Sequence, residues 1–97
     1  MRDIDWSEKS KEPDLPEDFI REFQDKVNWY CISHYQVLSE TFILEFQDRI
    51  DWYIISFRQK LSRDFILEFL DKLNITGILE NQKTDLETIE YLKLLKG

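Results

Sequence analysis

LSETFILEFQDRIDWYIISFRQK, residues 38–60, decides the fold, because the same pattern flanks it on both sides. LPEDFIREFQDKVNWYCISHYQV precedes it at 15–37, and LSRDFILEFLDKLNITGILENQK follows at 61–83. At an interval of 23 residues Leu15, Leu38 and Leu61 coincide, as do Phe19, Phe42 and Phe65, and Ile20, Ile43 and Ile66. So do Phe23, Phe46 and Phe69; Val27, Ile50 and Leu73; Ile32, Ile55 and Ile78; and Gln36, Gln59 and Gln82. Self-similarity at such a period is the signature of a repeat architecture.

Within residues 38–60 the periodicity is helical. Phe42, Ile43, Phe46 and Ile50 make one apolar stripe. Ser39 precedes it as an N-cap, and Asp51 precedes a second helix. The spacing predicts helices over 40–49 and 52–59. An apolar residue before each cap faces one five positions later, as in a hydrophobic staple: Leu38 with Ile43, Ile50 with Ile55. Helices this short do not hold alone in water, because nucleation is costly. Their stripes must be buried against neighbouring copies, as in an α-solenoid.

The expected fold is therefore all-α, a short α-solenoid of stacked two-helix repeats. The chain reads as a single domain over 1–97. It comprises a partial repeat at 1–14, repeats at 15–37, 38–60 and 61–83, and a C-terminal capping helix at 84–97. Ile4-Asp5-Trp6 matches Val27-Asn28-Trp29 and Ile50-Asp51-Trp52, and Ile89 and Leu92 match Ile66 and Phe69. Pro16 replaces the serine cap, leaving Asp14 and Glu17 to cap there. Thr84-Asp85-Leu86-Glu87 reads as a capping box, and Leu86, Ile89, Leu92 and Leu95 as the face covering the end of the stack. Phe23, Phe46 and Phe69 are the expected rungs of the core.

The composition sets the class. The 97 residues suffice for one small domain, and 42% hydrophobic content with three Trp, four Tyr and seven Phe marks a folding chain. Net charge is −7, so bare nucleic acid and anionic membranes are disfavoured and a basic protein surface is the better partner. Cys31, the single cysteine, permits no internal disulfide. No apolar run approaches the roughly 18 residues of a membrane span, and the first residues carry no signal-peptide core. A cytoplasmic protein is expected.

The copies act as controls on one another. A catalytic residue is not replaced by a packing residue in equivalent copies. His34 aligns with Phe57 and Glu80, Cys31 with Ile54 and Gly77, and Ser33 and Ser56 with Leu79. No phosphate loop, metal-ligand pair or cofactor motif is present, so no enzyme, cofactor or metal is expected. Glu22 with Lys26, Glu45 with Arg49, and Glu68 with Lys72 read as helix-stabilising pairs. Trp6, Trp29 and Trp52 read as core rather than as a stacking platform for single strands. Gly77 reads as a cost of roughly 1 kcal/mol to its helix.

Leu44 and Leu67 lie off the stripe and have no packing duty in this register. With the nearby acids they form the expected partner surface: Leu44, Glu45, Asp48, Leu67, Glu68 and Asp71. Tyr53 and Arg58 join them as residue types that anchor interfaces; Tyr30 and Tyr35 are of the same class, and all three tyrosines read equally well as core.

The motif L-[SP]-x-x-F-I-x-E-F-x-D-[KR]-[VIL]-[DN]-W-x-x-I-S-x-x-Q resembles a tandem repeat of uncharacterised proteins from large DNA viruses and some phages. Residues 15–37 and 38–60 match it, and 61–83 match it with losses at Ile75 and Leu79. The resemblance implies a viral or phage origin, placing the chain in host cytoplasm, and an interaction role. By analogy with small acidic phage proteins it implies inhibition of a host defence complex of the anti-CRISPR kind, itself nucleic-acid-binding. An acidic nucleic-acid mimic is a second reading. It ranks lower because the charge is diffuse, at −2, −2, −1, −1 and −1 over the five segments. Self-assembly into a structural homo-oligomer is a third.

Overall fold

A computed structural model describes residues 3–96. Its described residues form helices, turns and loops, with no strand among them. The chain divides into two compact units, Met1–Asp51 and Trp52–Gly97, so the division falls inside the second copy rather than at a copy boundary. The first unit holds α1 (Trp6–Ser10), α2 (Glu17–Glu22), α3 (Trp29–Tyr35) and α4 (Glu40–Glu45). The second holds α5 (Trp52–Arg58), α6 (Arg63–Glu68), α7 (Ile75–Glu80) and α8 (Leu86–Lys96). No helix among the described residues is long and apolar enough to cross a membrane.

The starts follow from local capping chemistry. Ser39 Oγ accepts the Phe42 N–H at 3.1 Å and Ser62 Oγ the Phe65 N–H at 3.2 Å. Asn28 Oδ1 accepts from Cys31 at 3.0 Å and Asn74 Oδ1 from Gly77 at 2.8 Å. Two expected starts are corrected. At Pro16 no side chain caps α2; the Glu17 carboxylate instead accepts the Ser39 N–H at 2.8 Å and its hydroxyl at 3.0 Å. Asp14 turns the chain there with a φ of 63°. At α8 the box is displaced by one residue, because Asp85, not Thr84, accepts the Thr88 N–H at 2.8 Å. That bond, the Thr88 hydroxyl and the charges of Arg63 and Lys60 hold the Asp85 carboxyl below its ordinary range. Its stabilising effect is thus present at neutral pH and lost as pH falls through the lowered value.

The first helices are shorter than their periodicity suggests. Each ends at Glu22, Glu45 or Glu68, and the following Phe leaves helical geometry at φ −107° to −112°. A second turn then closes on that residue. The Phe46 carbonyl accepts from Arg49 at 2.9 Å and Ile50 at 3.0 Å, and Phe23 and Phe69 do the same in their copies. With the helix ended, the expected Glu45–Arg49 pair does not form. Glu45 binds Arg21 at 2.9 Å and Arg49 binds Asp25 at 2.8 Å, each joining one copy to the other.

Burial follows the 23-residue interval. Ile20, Ile43 and Ile66, and Ile32, Ile55 and Ile78, are all fully buried. Each tryptophan lies on the phenylalanines 13 and 17 residues later. Trp6 meets Phe23 at 5.2 Å, Trp29 meets Phe46 at 5.1 Å, and Trp52 meets Phe69 at 5.6 Å between ring centroids. Of the expected rungs Phe46 is buried, while Phe23 and Phe69 are half-buried. The fully enclosed ring is Phe42, packed by Trp29 and Phe46 and by the Arg21 guanidinium, 5.3 Å from its centroid. In α8 the inward residues are Thr88, Leu92 and, in part, Ile89, whereas Leu86 and Leu95 face outward. The apolar stripe overlooked Thr88, which takes the position of Phe19, Phe42 and Phe65.

Second helices of successive copies pack together, α1 with α3 and α5 with α7. Gly77 is a point of close approach between α7 and α5. A Cβ there would stand 2.9 Å from Ser56 Cβ and 2.9 Å from Phe57 Cδ2. By helix propensity alone Gly77→Ala would stabilise the chain by roughly 1 kcal/mol. We expect the opposite sign, a loss of about 1–2 kcal/mol from overpacking. Urea denaturation gives the sign, and a more stable variant would refute the close approach.

Candidate partner-binding surface

The repeated polar side chains come first, because they are the candidates for chemistry. Ser10, Ser33 and Ser56 share the 23-residue interval and are fully buried. Each hydroxyl donates to the tryptophan carbonyl four residues back, at 2.6 Å, 2.8 Å and 2.8 Å. Each accepts the N–H of the residue before the next copy's second helix: Asn28 at 2.9 Å, Asp51 at 3.0 Å and Asn74 at 2.9 Å. These hydroxyls fasten copies together, and Ser10, in the partial repeat for which only Ile4-Asp5-Trp6 was expected to match, belongs with Ser33 and Ser56. Leu79, the third copy's counterpart, makes no such link.

Gln36 is buried and does similar work. Its Nε2 donates to the carbonyls of Ser10 at 2.9 Å and Glu12 at 2.6 Å, and its Oε1 accepts the Leu15 N–H at 3.1 Å. The interval assigns this role to Gln82 in the third copy. The structure assigns it to Asn81, whose Nδ2 donates to Ser56 at 3.0 Å and Gln59 at 2.8 Å, while Gln82 is exposed. The shorter amide reaches the same kind of target from one residue earlier.

His34 is half-buried between Tyr35, 4.2 Å away by ring centroids, and Tyr30, at 5.9 Å. Cys31 is buried as a free thiol. Among the described residues no group of three or more His, Cys, Asp or Glu could hold a metal ion.

The eight residues of the expected surface fall in both units. In the first, Leu44 is 38% exposed, with Glu45 and Asp48 exposed beside it in sequence. The Glu45 carboxylate is engaged by the Arg21 side chain at 2.9 and 3.1 Å, which raises the Arg21 pKa. In the second, Tyr53, Arg58, Glu68 and Asp71 are exposed, and Leu67 is half-buried. Leu44 is thus the more open of the two off-stripe leucines. Stripe geometry alone did not separate them.

Tyr30 and Tyr35 belong to the same interface-anchoring class as Tyr53 and Arg58. Tyr30 and Tyr35 are open to solvent in the first unit, and Lys11 sits 5.9 Å from the Tyr35 ring centroid. In the second unit a cavity of about 200 Å³ is lined by Leu70, Ile75, Leu92 and Leu95. It lies where Ile75 stands in the register of Trp6, Trp29 and Trp52.

Set against known proteins, the chain matches no protein family, no curated protein and no solved structure.

Proposed function

We propose that this chain acts by binding a protein partner through exposed apolar side chains rimmed by carboxylates, and not by catalysis. The observation that carries the reading is Leu44, an exposed leucine within a helix whose neighbours Phe42 and Ile43 are fully buried. Leu44 stands apart from that fully buried stripe at 38% exposure, and Asp48, with the Arg21-bound Glu45, supplies a charged rim. The repeated polar groups that might have served chemistry are occupied in holding copies together, which supports the same reading. The net charge of −7 favours a partner with a basic face. The resemblance to viral and phage repeats makes a host defence complex of the anti-CRISPR kind the first partner to try.

Leu44→Asp should leave the melting temperature within a few degrees and weaken partner binding tenfold or more, because it puts a charge at the centre of the contact. Asp48→Lys should mainly slow association, and its effect should shrink as salt is raised. Interferometry with a purified defence complex separates the two effects. Binding unaltered by Leu44→Asp in a folded protein removes the surface. Binding that collapses on the charge reversal alone favours carboxylate mimicry of nucleic acid.

A further inference from the structure

Three times in this chain a tryptophan opens a second helix and lies over residues 13 and 17 positions later. At the last such position the set becomes Ile75, Thr88 and Leu92, all smaller than the rings they replace. The space left is the cavity of about 200 Å³ between Leu70, Ile75, Leu92 and Leu95. Its rim has changed character as well. Leu70 stands at the position of Gln24 and Gln47, and Leu95 at that of Lys26, Arg49 and Lys72. These leucines are 36% and 55% exposed. Polar and charged side chains have been exchanged for apolar ones that face solvent around a vacated aromatic position, and isolated exposed leucines need no such coincidence.

We propose that this cleft receives the indole ring of a tryptophan carried by a protein partner. The chain itself supplies the template. In the first copy the Trp29 ring lies on Phe42 and Phe46 and donates its Nε1–H to the Gln24 carbonyl at 3.0 Å. Leu70 occupies the position of Gln24, and its carbonyl is the acceptor the incoming indole uses. Leu92 and Leu95 provide the apolar floor and Ile75 the inner wall. A second copy is the poorer occupant, because Trp6, Trp29 and Trp52 already lie on phenylalanines of their own chain. The inference rests on the proposed function only in taking the partner to be a protein; it does not use the Leu44 surface.

The test is a titration of the full chain with N-acetyl-L-tryptophanamide, followed through its leucine and isoleucine methyl resonances. Saturable shifts are expected at Leu70, Ile75, Leu92 and Leu95. N-acetyl-L-leucinamide and the indole-N-methylated probe should each bind about fivefold more weakly, having no indole N–H to donate. Leu95→Asp, at an exposed position, should abolish the response without lowering the melting temperature, and Ile75→Trp should abolish it by filling the cleft. Leu44→Asp should leave the titration unchanged, so failure here and failure of the Leu44 surface are read separately. Absent shifts, equal response to the leucine probe, or tighter binding of free indole than of the amide would each overturn the proposal. So would a wild-type dimer that Leu95→Asp dissociates, since a second copy would then cover the cleft.

Discussion

Phe42→Ala should destabilise the chain by about 3–5 kcal/mol, the largest loss expected from any single truncation here. The ring is fully buried and lies at 6.2 Å from Trp29, 4.7 Å from Phe46 and 5.3 Å from the Arg21 guanidinium. Removing it costs the transfer of a large apolar side chain and opens a cavity that neighbours held by their own bonds cannot fill. Phe46→Ala should follow closely. Phe23→Ala and Phe69→Ala should cost less, because those rings already touch solvent. Urea denaturation of the four variants gives the order. A Phe42 variant no less stable than the Phe23 variant would overturn the assignment of the enclosed ring.

Gln36→Leu should cost about 2–4 kcal/mol, although it places an apolar side chain in a buried position. Three hydrogen bonds disappear, to the carbonyls of Ser10 and Glu12 and from the Leu15 N–H. The groups left behind must be desolvated without a partner, at roughly 1–3 kcal/mol for each that water cannot reach. Gln82 supplies a control from the same chain. It shares the 23-residue register with Gln36 but is exposed, so Gln82→Leu should change stability by less than about 0.5 kcal/mol. Asn81→Leu should behave like Gln36→Leu. Equal losses at residues 36 and 82 would restore the register reading and remove the structural one.

These residues mark the boundary of what sequence could disclose. Capping was legible at Ser39, Ser62, Asn28 and Asn74 because a cap and its N–H lie within three residues. The two isoleucine sets were legible because burial repeats with the period. The roles of Ser10, Ser33 and Ser56 were not, since each bridges 18 residues and a buried hydroxyl in a helix resembles any other small side chain. Helix length was overestimated because the stripe through Ile50 continues after the backbone has left the helix at Phe46. The shift from Gln82 to Asn81 was invisible because the fixed 23-residue interval points only to Gln82. On the surface, periodicity identified Leu44 and Leu67 as surplus to the stripe without separating their exposure. The cleft at Ile75 is not legible in the repeat, because the loss of a tryptophan does not reveal whether neighbouring side chains close over its place.

The buried serines have a consequence for how such a chain could grow. Each hydroxyl sits in one copy and meets a backbone amide in the next, so the joint is encoded by the repeat itself. A duplication of 23 residues between Ser10 and Ser56 would deliver, in one genetic event, both the fastener and the amide it must meet. Copy number could then change without new compensating substitutions.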